Sequence, residues 1–548
     1  MNLINHFSIN LKQKNKKQKM KTKKTFSKLV ATAAVAVASI APSFAQSNLG
    51  ESCGCPAVAS RPTVLMSTLT NVATGELLAS STILTCDKTW ILDDKVYVGD
   101  GKSLTINPGT VIKGRFVASG VNANALIVAK GGKVFANGTE SCQIVFTAEA
   151  DAMDGTYGIL NKGQWGGVVM LGKATNNLTT ANTLCTGVNG VGFIEGYLSS
   201  EPLNQFGMPV GSNDDNDNSG VMTYVSIRHA GAIVGVANEL NGLTLGSVGR
   251  GTTLHHIEIV SNLDDGIEFF GGTVDLKYAS VLFNDDDGFD WDLGWSGRGQ
   301  FWAVVKTDQG TAAGGDNGFE SDGDDQKINA ALQSNPQVYN ATFIGSNNIN
   351  GNLTQKGVGI MAKEQTLGTI RSSVLANYKI GADFKNDGTR PGNDAYDNWI
   401  AGTLKVECNT FIGNTTMLQI NGVTAVVGGS DETKFFTDGN ISSASVAGFD
   451  FLHTMNTSTN VVSDTYDASP NPALASSCTP PSDGFFTSTN YRGAFEAGKK
   501  SWLSNWSINA LYDTENGLVP CPTDINGDGS TNNIDFLQLL GQFNQSCD

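Results

Sequence analysis

Acidic side chains recur at a fixed spacing in the middle of the chain. Two segments, LHHIEIVSNLDDGIEFFGG from Leu254 and LKYASVLFNDDDGFDWDLG from Leu276, align when Leu254 is placed on Leu276. A third acidic turn, in the segment GGDNGFESDGDD, follows and carries Glu320. The carboxylates that this alignment brings together are Asp264 with Asp286, Asp265 with Asp287, and Glu268 with Asp290 and Glu320.

Stacking of these segments would place their carboxylates in ladders. In stacked parallel strands, equivalent residues lie about 4.7–4.9 Å apart. Two bare carboxylates at that distance repel by about 3–4 kcal/mol at an effective dielectric constant near 20. The ladders therefore need bound cations, raised pKa values or a cationic ligand. We predict an acidic site, with Ca²⁺ as its cation, formed by Asp265, Glu268, Asp287, Asp290 and Glu320.

The same carboxylates could also perform catalysis, because paired carboxylates act as general acid and base on glycosidic bonds. The catalytic candidates are Asp265, Asp286, Asp287, Asp290 and Asp292. Aromatic residues that could flank a bound sugar chain are Phe269, Phe270, Trp291, Trp295 and Trp302.

Basic residues near these carboxylates have two possible roles. A lyase needs a base, and Arg250 and Arg298 are available, although we favour both as counter-ions of the acidic ladders. His255 and His256 are neighbours in a predicted strand, so we expect at most one of them to face a groove. Packing or surface exposure is the preferred interpretation for each histidine.

The elements that position these residues follow from the repeat. The offset between Leu254 and Leu276 is 22 residues. The same period of 22 residues also occurs earlier, where the segment from Leu104 to Ile112 aligns with the segment from Leu126 to Val134. That period is too short for helical hairpin repeats, which need about 33 residues or more. Short alternating apolar runs with Gly or Asn between them indicate strands and turns. The sequence therefore predicts an all-β chain folded as a right-handed parallel β-helix with inserted loops.

Composition and charge narrow the classes of function. The chain has 548 residues, 64 of them Gly, and a formal net charge of −16. Residues 1–45 contain nine Lys and no acidic residue, so their removal would leave −16 − 9 = −25. An acidic surface disfavours nucleic acid and anionic membranes and favours Ca²⁺ or other cations. We expect no nucleic-acid partner.

The N-terminal segment is typical of secretion. A basic stretch precedes the apolar run from Leu29 to Ala41, and Ser43-Phe44-Ala45 resembles a cleavage site. Residues 1–45 are therefore a predicted signal peptide, with translation starting at Met1 or Met20. The apolar run is shorter than a membrane span, and we expect a secreted, extracellular or cell-surface protein. All nine cysteines follow this segment, so disulfides are expected, with one cysteine left over.

The remaining chain divides into four predicted parts. Residues 46–95 form a lead-in and N-terminal cap, residues 96–413 form the β-helix, residues 414–515 contain further coils, a linker and a capping element, and residues 516–548 form a separate C-terminal unit. Three stretches are expected to project from the coil as loops: Thr175–Gly220, Thr307–Pro336 and Lys385–Trp399.

The C-terminal unit contains a calcium-loop pattern. Its oxygen-bearing residues fall at positions 1, 3, 5, 7, 9 and 12 of a loop with Gly at position 6, as in EF-hand loops. The predicted calcium ligands are Asp524, Asn526, Asp528, Ser530, Asn532 and Asp535. An apolar helical face follows the loop.

Two resemblances extend this interpretation. The segments LTINPGTVIKG, GQWGGVVMLGKA, LHHIEIVSNLDDGIEFFGG and YRGAF…WLSNW resemble a group of secreted bacterial proteins with right-handed parallel β-helix bodies, largely uncharacterised. The segment DINGDGSTNNIDFLQLL resembles a single type I dockerin repeat, with Asp at loop position 12 and no entering helix. The second resemblance implies a cohesin-like protein partner for residues 516–548. Dockerins carry two repeats, and Cys521 with Cys547 could staple this single one.

Two functions remain open from the sequence. We favour a secreted calcium-binding β-helix that recognises extracellular polysaccharide or a surface, like an adhesin, without catalysis. The alternative is a polysaccharide lyase or glycoside hydrolase that acts through the acidic groove around residues 265–292.

Overall fold

The alternating apolar residues form short strands, most of which pair in parallel with a strand of a neighbouring coil. The computed structural model describes residues 53–116, 123–154, 156–194, 197, 200–235, 238–307, 317–323, 332–347, 357–386, 393–447, 449, 455–456, 461–462 and 474–508. Within these ranges most strands belong to two sheets, a long sheet of 17 strands and a short sheet of 11 strands. The predicted all-β, right-handed parallel β-helix is confirmed.

Most coils contribute two successive strands, or one long bent strand, to the long sheet. We call the two halves of this contribution the arms of the coil. Its strands are Thr63–Leu65, Ser81–Leu84, Thr89–Leu92, Ser103–Ile106, Val111–Gly114, Lys133–Asn137, Ile144–Ala148, Gly220–Arg228, Thr253–Val260, Leu276–Leu282, Arg298–Thr307, Gln337–Asn347, Gly368–Arg371, Val374–Ala376, Leu404–Glu407, Thr410–Ile412 and Ile441–Ser443.

The short sheet is separate from the long sheet, and its strands also pair mostly in parallel. Its strands are Val96–Val98, Ala125–Val128, Gly167–Leu171, Leu243–Gly246, Ile267–Phe270, Phe289–Asp292, Phe319–Asp322, Val358–Lys363, Ile380–Phe384, Thr416–Ile420 and Val423–Thr424. The last two pair antiparallel.

Smaller strands and helices lie outside the two main sheets. Antiparallel pairing joins Cys185–Val188, Val191–Phe193 and Gln205–Gly207 into one small sheet, and it forms two further strand pairs, Ile233–Gly235 with Asn238–Glu239 and Met455–Asn456 with Val461–Val462. The described helices are Ala395–Ala401 and Ser430–Thr437, with short 3₁₀ turns at Val58–Ser60, Met66–Leu69 and Pro202–Asn204.

A column of left-handed residues bends the long strands at the corner between their two arms. Tyr224, His256, Tyr278 and Phe301 have φ values of +51°, +55°, +58° and +60°. Side chains with this φ are uncommon and need compensation. Here the four rings stack on one another outside the coil, with centroids 4.2, 4.5 and 5.0 Å apart. We call these four residues the corner stack.

A second column places glycine at the start of successive strands in the short sheet. At Gly266 an added Cβ would lie 2.6 Å from the carbonyl oxygen of Gly288, and at Gly288 it would lie 2.9 Å from that of Gly318. The column continues through Gly359 and Gly381. The recurrent glycine of the acidic repeat therefore allows neighbouring coils to approach closely.

The segment 474–508, which we call the strap, crosses several coils along the outside of the long sheet. Thr487 and the Gln300 side chain exchange two hydrogen bonds of 2.8 Å, and the Asn340 amide donates to the Tyr491 carbonyl at 2.9 Å. Strap residues Phe495, Leu503 and Trp506 pack in one cluster with outward-facing apolar residues of the long sheet: Val260, Leu282, Val305 and Ile344. A segment expected to close the coil thus also covers its side.

Disulfides are present, as expected. They join Cys53 to Cys142, Cys55 to Cys86, and Cys408 to Cys478 at the beginning of the strap, while Cys185 is a free thiol.

Several boundaries differ from those that the sequence predicts. Strands of residues 63–92 already pair within the long sheet, so the parallel coil starts before residue 96. All three predicted loops contain regular elements: Thr175–Gly220 contains the small antiparallel sheet, Phe319–Asp322 is a strand of the short sheet, and Ala395–Ala401 is a helix. Among the described residues, no helix is long and apolar enough to cross a membrane.

Candidate functional site

The strand register brings the repeated carboxylates together on the short sheet. Glu268 pairs with Asp290, and Asp290 pairs with Glu320, in neighbouring parallel strands. Asp265 and Asp287 lie in the turns before these strands, and the backbone N–H of Asp287 donates to Asp265 Oδ1 at 2.7 Å. We call the following set the acidic ladder: Asp264, Asp265, Glu268, Asp286, Asp287, Asp290 and Glu320.

Asparagine side chains fix the turns that carry these carboxylates. The amide of Asn262 donates to the Asp265 carbonyl at 2.8 Å, and that of Asn284 donates to the Asp287 carbonyl at 2.5 Å. Asp287 in turn accepts from the backbone N–H of Asn317 at 2.7 Å. Each Asn thus closes the turn in its own coil, while Asp265 and Asp287 link one coil to the next.

Three groups of carboxylates are close enough to share a cation. In each group, one oxygen from every member lies within 4.8 Å of the others. The groups are Asp264 with Asp265 and Asp286, Asp265 with Glu268 and Asp290, and Asp287 with Asp290 and Glu320. Because Asp265 and Asp290 each belong to two groups, the three groups form one continuous anionic site.

Burial and mutual repulsion disfavour the ionised form of several ladder carboxyls. Burial raises the pKa of Asp265, Asp287 and Asp290 well above the ordinary value, and neighbouring carboxylates raise these pKa values further. Oδ1 of Asp290 is buried and has no hydrogen-bond partner in the described part of the chain. A bound cation would supply that missing partner and favour ionisation.

Among the described residues, lysines provide counter-ions of the ladder. Lys363 pairs with Glu320 and with Asp322, the latter at 3.1 Å. Burial opposes the charge of Lys363, but Asp322 and Glu320 prevail and raise its pKa strongly. The ammonium of Lys306 donates to the carbonyl of Asp286.

The role of Lys363 was not evident from the sequence. Lys363 lies well beyond Glu320 along the chain, and no local pattern marks it as a partner. Its position becomes evident only when strand Val358–Lys363 is paired with strand Phe319–Asp322.

The predicted roles of Arg250 and Arg298 at the ladder are wrong. Nε of Arg298 donates to Asp275 at 3.0 Å, and its Nη1 donates to Asp483 of the strap at 2.8 Å. Arg250 lines a different cavity, outside the long sheet. The prediction assumed that residues close in sequence are close in space. Each coil surrounds the core, however, so residues that are close in sequence can lie on different faces.

The predicted sugar-flanking aromatic residues are also placed differently. All five are at most 2% exposed, and four of them belong to the central core: Phe269, Trp291, Trp295 and Trp302. Phe270 packs against the predicted loop Thr175–Gly220, with its ring centroid 6.2 Å from that of Phe206. Strand alternation explains the correction, since Glu268 and Asp290 point outward and their neighbours Phe269 and Trp291 point inward.

Of the catalytic candidates, Asp265, Asp286, Asp287 and Asp290 belong to the ladder, whereas Asp292 belongs to none of the three carboxylate groups. Asp292 pairs in register with Phe270 and is 5% exposed.

Both histidines line one cavity, contrary to the predicted alternation. The Nδ1 atoms of His255 and His256 lie 2.9 Å apart, and both side chains border the cavity that Arg250 lines. The left-handed φ of His256 interrupts the strand alternation and turns both imidazoles outward.

Other predicted features lie outside the described residues. These are the signal peptide over residues 1–45 and the calcium loop with Asp524, Asn526, Asp528, Ser530, Asn532 and Asp535. The suggested staple between Cys521 and Cys547 is outside them as well.

Fold and site together define a parallel β-helix protein with a carboxylate ladder on one sheet. Residues 75–450 match the model of the family described as the pectate-lyase-like beta helix domain. Because this match covers more than half of the chain, the chain belongs to that family, which its description relates to polysaccharides. Membership and the three disulfides are typical of an extracellular protein.

Comparison with other proteins adds a structural likeness. The crystal structure of pectate lyase Pel9A is 13% identical in sequence, with 73% of this chain and 88% of that chain covered and a TM-score of 0.37. No curated protein matches the sequence.

Proposed function

We propose that this chain binds Ca²⁺ along the acidic ladder and uses the bound ions to recognise an acidic polysaccharide or surface outside the cell, without cleaving it. The observation that carries this proposal is the continuous set of three carboxylate groups whose oxygens lie within 4.8 Å of one another. Asp290 belongs to two of these groups, and its buried Oδ1, which has no hydrogen-bond partner among the described residues, supports a ligand there.

Calcium suits this donor set. Ca²⁺ takes six to eight oxygen ligands in flexible geometry, and carboxylates are its preferred protein ligands. Three carboxylates in a group leave coordination positions open for carboxylate or hydroxyl oxygens of a bound glycan. Because Asp265, Asp287 and Asp290 are disfavoured as bare anions, the metal would replace protons that the carboxyls otherwise hold.

The state of Lys363 supports recognition over cleavage. A lyase requires a base within reach of the sugar proton, and that base must be able to lose its own proton. Lys363 is held protonated by Asp322 and Glu320, so it serves as a counter-ion instead.

The calcium proposal is tested by the thermal stability of residues 46–548. The predicted calcium loop of the tail is first silenced by Asp524→Ala with Asp528→Ala, so that only the ladder responds. In this background, 1 mM Ca²⁺ should raise Tm relative to EDTA, and adding Glu268→Ala with Asp290→Ala should abolish that rise. Asp100→Ala with Glu496→Ala, two exposed acids away from the ladder, is the charge-matched control and should keep it. An undiminished rise in the ladder variant would refute the proposal.

Family membership favours a second candidate, polysaccharide lyase or glycoside hydrolase activity at the same carboxylates. The protein would be incubated with anionic and neutral polysaccharides, with and without Ca²⁺, and assayed for binding and for new reducing or unsaturated ends. Products that disappear in Asp287→Ala or Asp290→Ala would establish catalysis and displace the recognition proposal. Binding without products would support recognition.

We also propose a protein partner for the tail. The dockerin-like sequence of residues 516–548 supports docking to a cohesin-like module in the presence of Ca²⁺. Pull-down with such a module, with Asp524→Ala as the control, would test this interaction.

A further inference from the structure

A cavity separate from the acidic ladder lies outside the long sheet, between strands Thr253–Val260 and Leu276–Leu282 and the strap. Its volume is about 350 Å³, within the range of small-molecule sites. The lining residues are Arg250, Thr252, Thr253, Leu254, His255, His256, Asp275, Lys277, Tyr278 and Phe485. None of them belongs to the acidic ladder, which occupies the short sheet.

Two cations leave this cavity positive within an acidic protein. The guanidinium of Arg250 is exposed and makes no hydrogen bond or ion pair with the described residues. Nζ of Lys277 donates to the Phe485 carbonyl at 2.7 Å and to Thr487 Oγ1 at 2.8 Å. An ammonium has three protons, so one of them remains for a ligand.

The carboxylate that borders the cavity, Asp275, is already paired with an arginine. Asp275 accepts from Nε of Arg298 at 3.0 Å and from its backbone N–H at 2.9 Å. Arg298 also pairs with Asp483, at 2.8 Å. These three groups carry a net charge of −1, so together with Arg250 and Lys277 the charged groups at the cavity sum to +1.

The rest of the lining is neutral and mixed in polarity. Burial lowers the pKa of His255, and it lowers the pKa of His256 to about 3 with a contribution from His255, so both imidazoles are uncharged at neutral pH. The hydroxyl-bearing Thr253 is exposed, while Leu254 and Phe485 add apolar surface. Hydroxyl partners, apolar surface and two cations together match an acidic sugar ring better than a bare inorganic anion.

We propose that this cavity binds one uronic acid unit of an acidic polysaccharide, with the sugar carboxylate between Arg250 and Lys277. Arginine can hold a carboxylate through two parallel hydrogen bonds, which gives the geometry its selectivity. The site needs no metal, because the protein supplies the positive charge. This proposal rests on the proposed function only for the choice of ligand class. The cavity would bind the same polysaccharide on a face of the protein other than that of the acidic ladder.

The test measures binding of tetragalacturonate and of neutral tetragalactose to residues 46–548 by calorimetry in EDTA, where ladder calcium sites are empty. Tetragalacturonate should bind and tetragalactose should not. Arg250→Gln should weaken the binding at least tenfold with unchanged Tm, because the guanidinium contacts no partner among the described residues. Thr253→Glu, which places a carboxylate at the mouth of the cavity, should weaken it as well.

Two control variants distinguish binding at this cavity from binding at the ladder and from non-specific electrostatic attraction. Lys405→Gln removes a charge on the same face, four strands or about 19 Å from Lys277 at about 4.8 Å per strand, and should leave binding unchanged. Glu268→Ala with Asp290→Ala should likewise leave EDTA-resistant binding intact, even if the calcium effect is lost.

Several results would overturn the assignment. These are absence of binding in EDTA, equal loss in Lys405→Gln and Arg250→Gln, or competition by acetate at the concentration of the sugar carboxylate. The last would show a general anion site. Failure of the calcium proposal alone would show only in the Ca²⁺-dependent Tm, so the two failures are distinguishable.

Discussion

At the scale of single residues, Asp290 is the most constrained group of the ladder. It pairs in register with Glu268 on one side and Glu320 on the other, and its charge also acts on Lys363, the ion-pair partner of Glu320. Burial, followed by the charges of Glu320 and Glu268, raises its pKa well above the ordinary value of 3.8. Its ionised form is therefore unfavourable until a cation binds.

This constraint predicts the pH dependence of stability. A carboxyl with a raised folded-state pKa stabilises the fold below its unfolded pKa, and that contribution is lost as the pH rises through the folded pKa. In EDTA, the Asp290→Asn variant should therefore lose less stability than the wild type when the pH is raised from about 4 to neutrality. The measurement is urea denaturation of both proteins across this range.

Calcium provides the control, because it favours the ionised carboxylates. Adding Ca²⁺ should reduce the difference between wild type and Asp290→Asn in their pH dependence. Identical pH profiles for the two proteins in EDTA would show that Asp290 ionises freely in the folded state.

At the scale of elements, the glycine column sets the spacing of the short sheet, and with it the spacing of the carboxylates. An added methyl at Gly266 would lie 2.5 Å from Val281 Cγ1 and 2.6 Å from the Gly288 carbonyl oxygen, both below any ordinary contact. Since these neighbours are core and backbone atoms, the coil itself must shift.

Gly266→Ala should destabilise the protein by about 1–3 kcal/mol through this overpacking, and it should weaken Ca²⁺ binding because Asp265 and Glu268 flank the site of the shift. Urea denaturation and the calcium-dependent Tm measure the two effects. Gly211→Ala is the comparison, since its methyl meets no atom within 4 Å and only its φ of +88° is strained, at about 1 kcal/mol. Equal effects on calcium binding in both variants would contradict this role of Gly266.

At the scale of the whole molecule, the strap ties separate coils together. A solenoid has contacts mainly between neighbouring repeats, so its ends and middle can open independently. The strap begins at the Cys408–Cys478 disulfide and reaches Glu140, whose Oε1 accepts from Asn505 at 2.7 Å. It therefore couples coils that have no direct contact with each other.

Removing the Cys408–Cys478 disulfide should loosen the strap. The cysteines of the disulfide are 70 residues apart, and a loop of that length corresponds to about 4 kcal/mol in the chain-entropy model. Cys408→Ser with Cys478→Ser should lower the free energy of unfolding by up to that amount and speed proteolysis within residues 474–508. Cys185→Ser, which removes a free thiol, should change neither property. Equal protease resistance in all three proteins would show that the disulfide does not hold the strap.

The sequence by itself determined the coil, its period and the ladder. Side chains in stacked strands recur with the period of the coil, so the offset that aligns Leu254 with Leu276 already placed Glu268 beside Asp290. A fainter copy of the repeat, in which Ser373 and Asp383 match Ser280 and Asp290, shows the limit of this reasoning. Asp383 does lie in the same column as Asp290, but the preceding strand is shifted by one residue, so that Val374 lies in the column of Ser280.

Only the tertiary structure decided what surrounds the ladder. Counter-ions such as Lys363 come from other coils, at separations set by loops of unequal length. The inward direction of Trp291 follows from strand alternation. The outward direction of both His255 and His256 follows instead from the left-handed φ of His256, which no local sequence pattern predicts. The cavity beside Arg250 depends on a strap more than 200 residues later in the chain, because long-range packing, unlike periodicity, leaves no trace in local sequence.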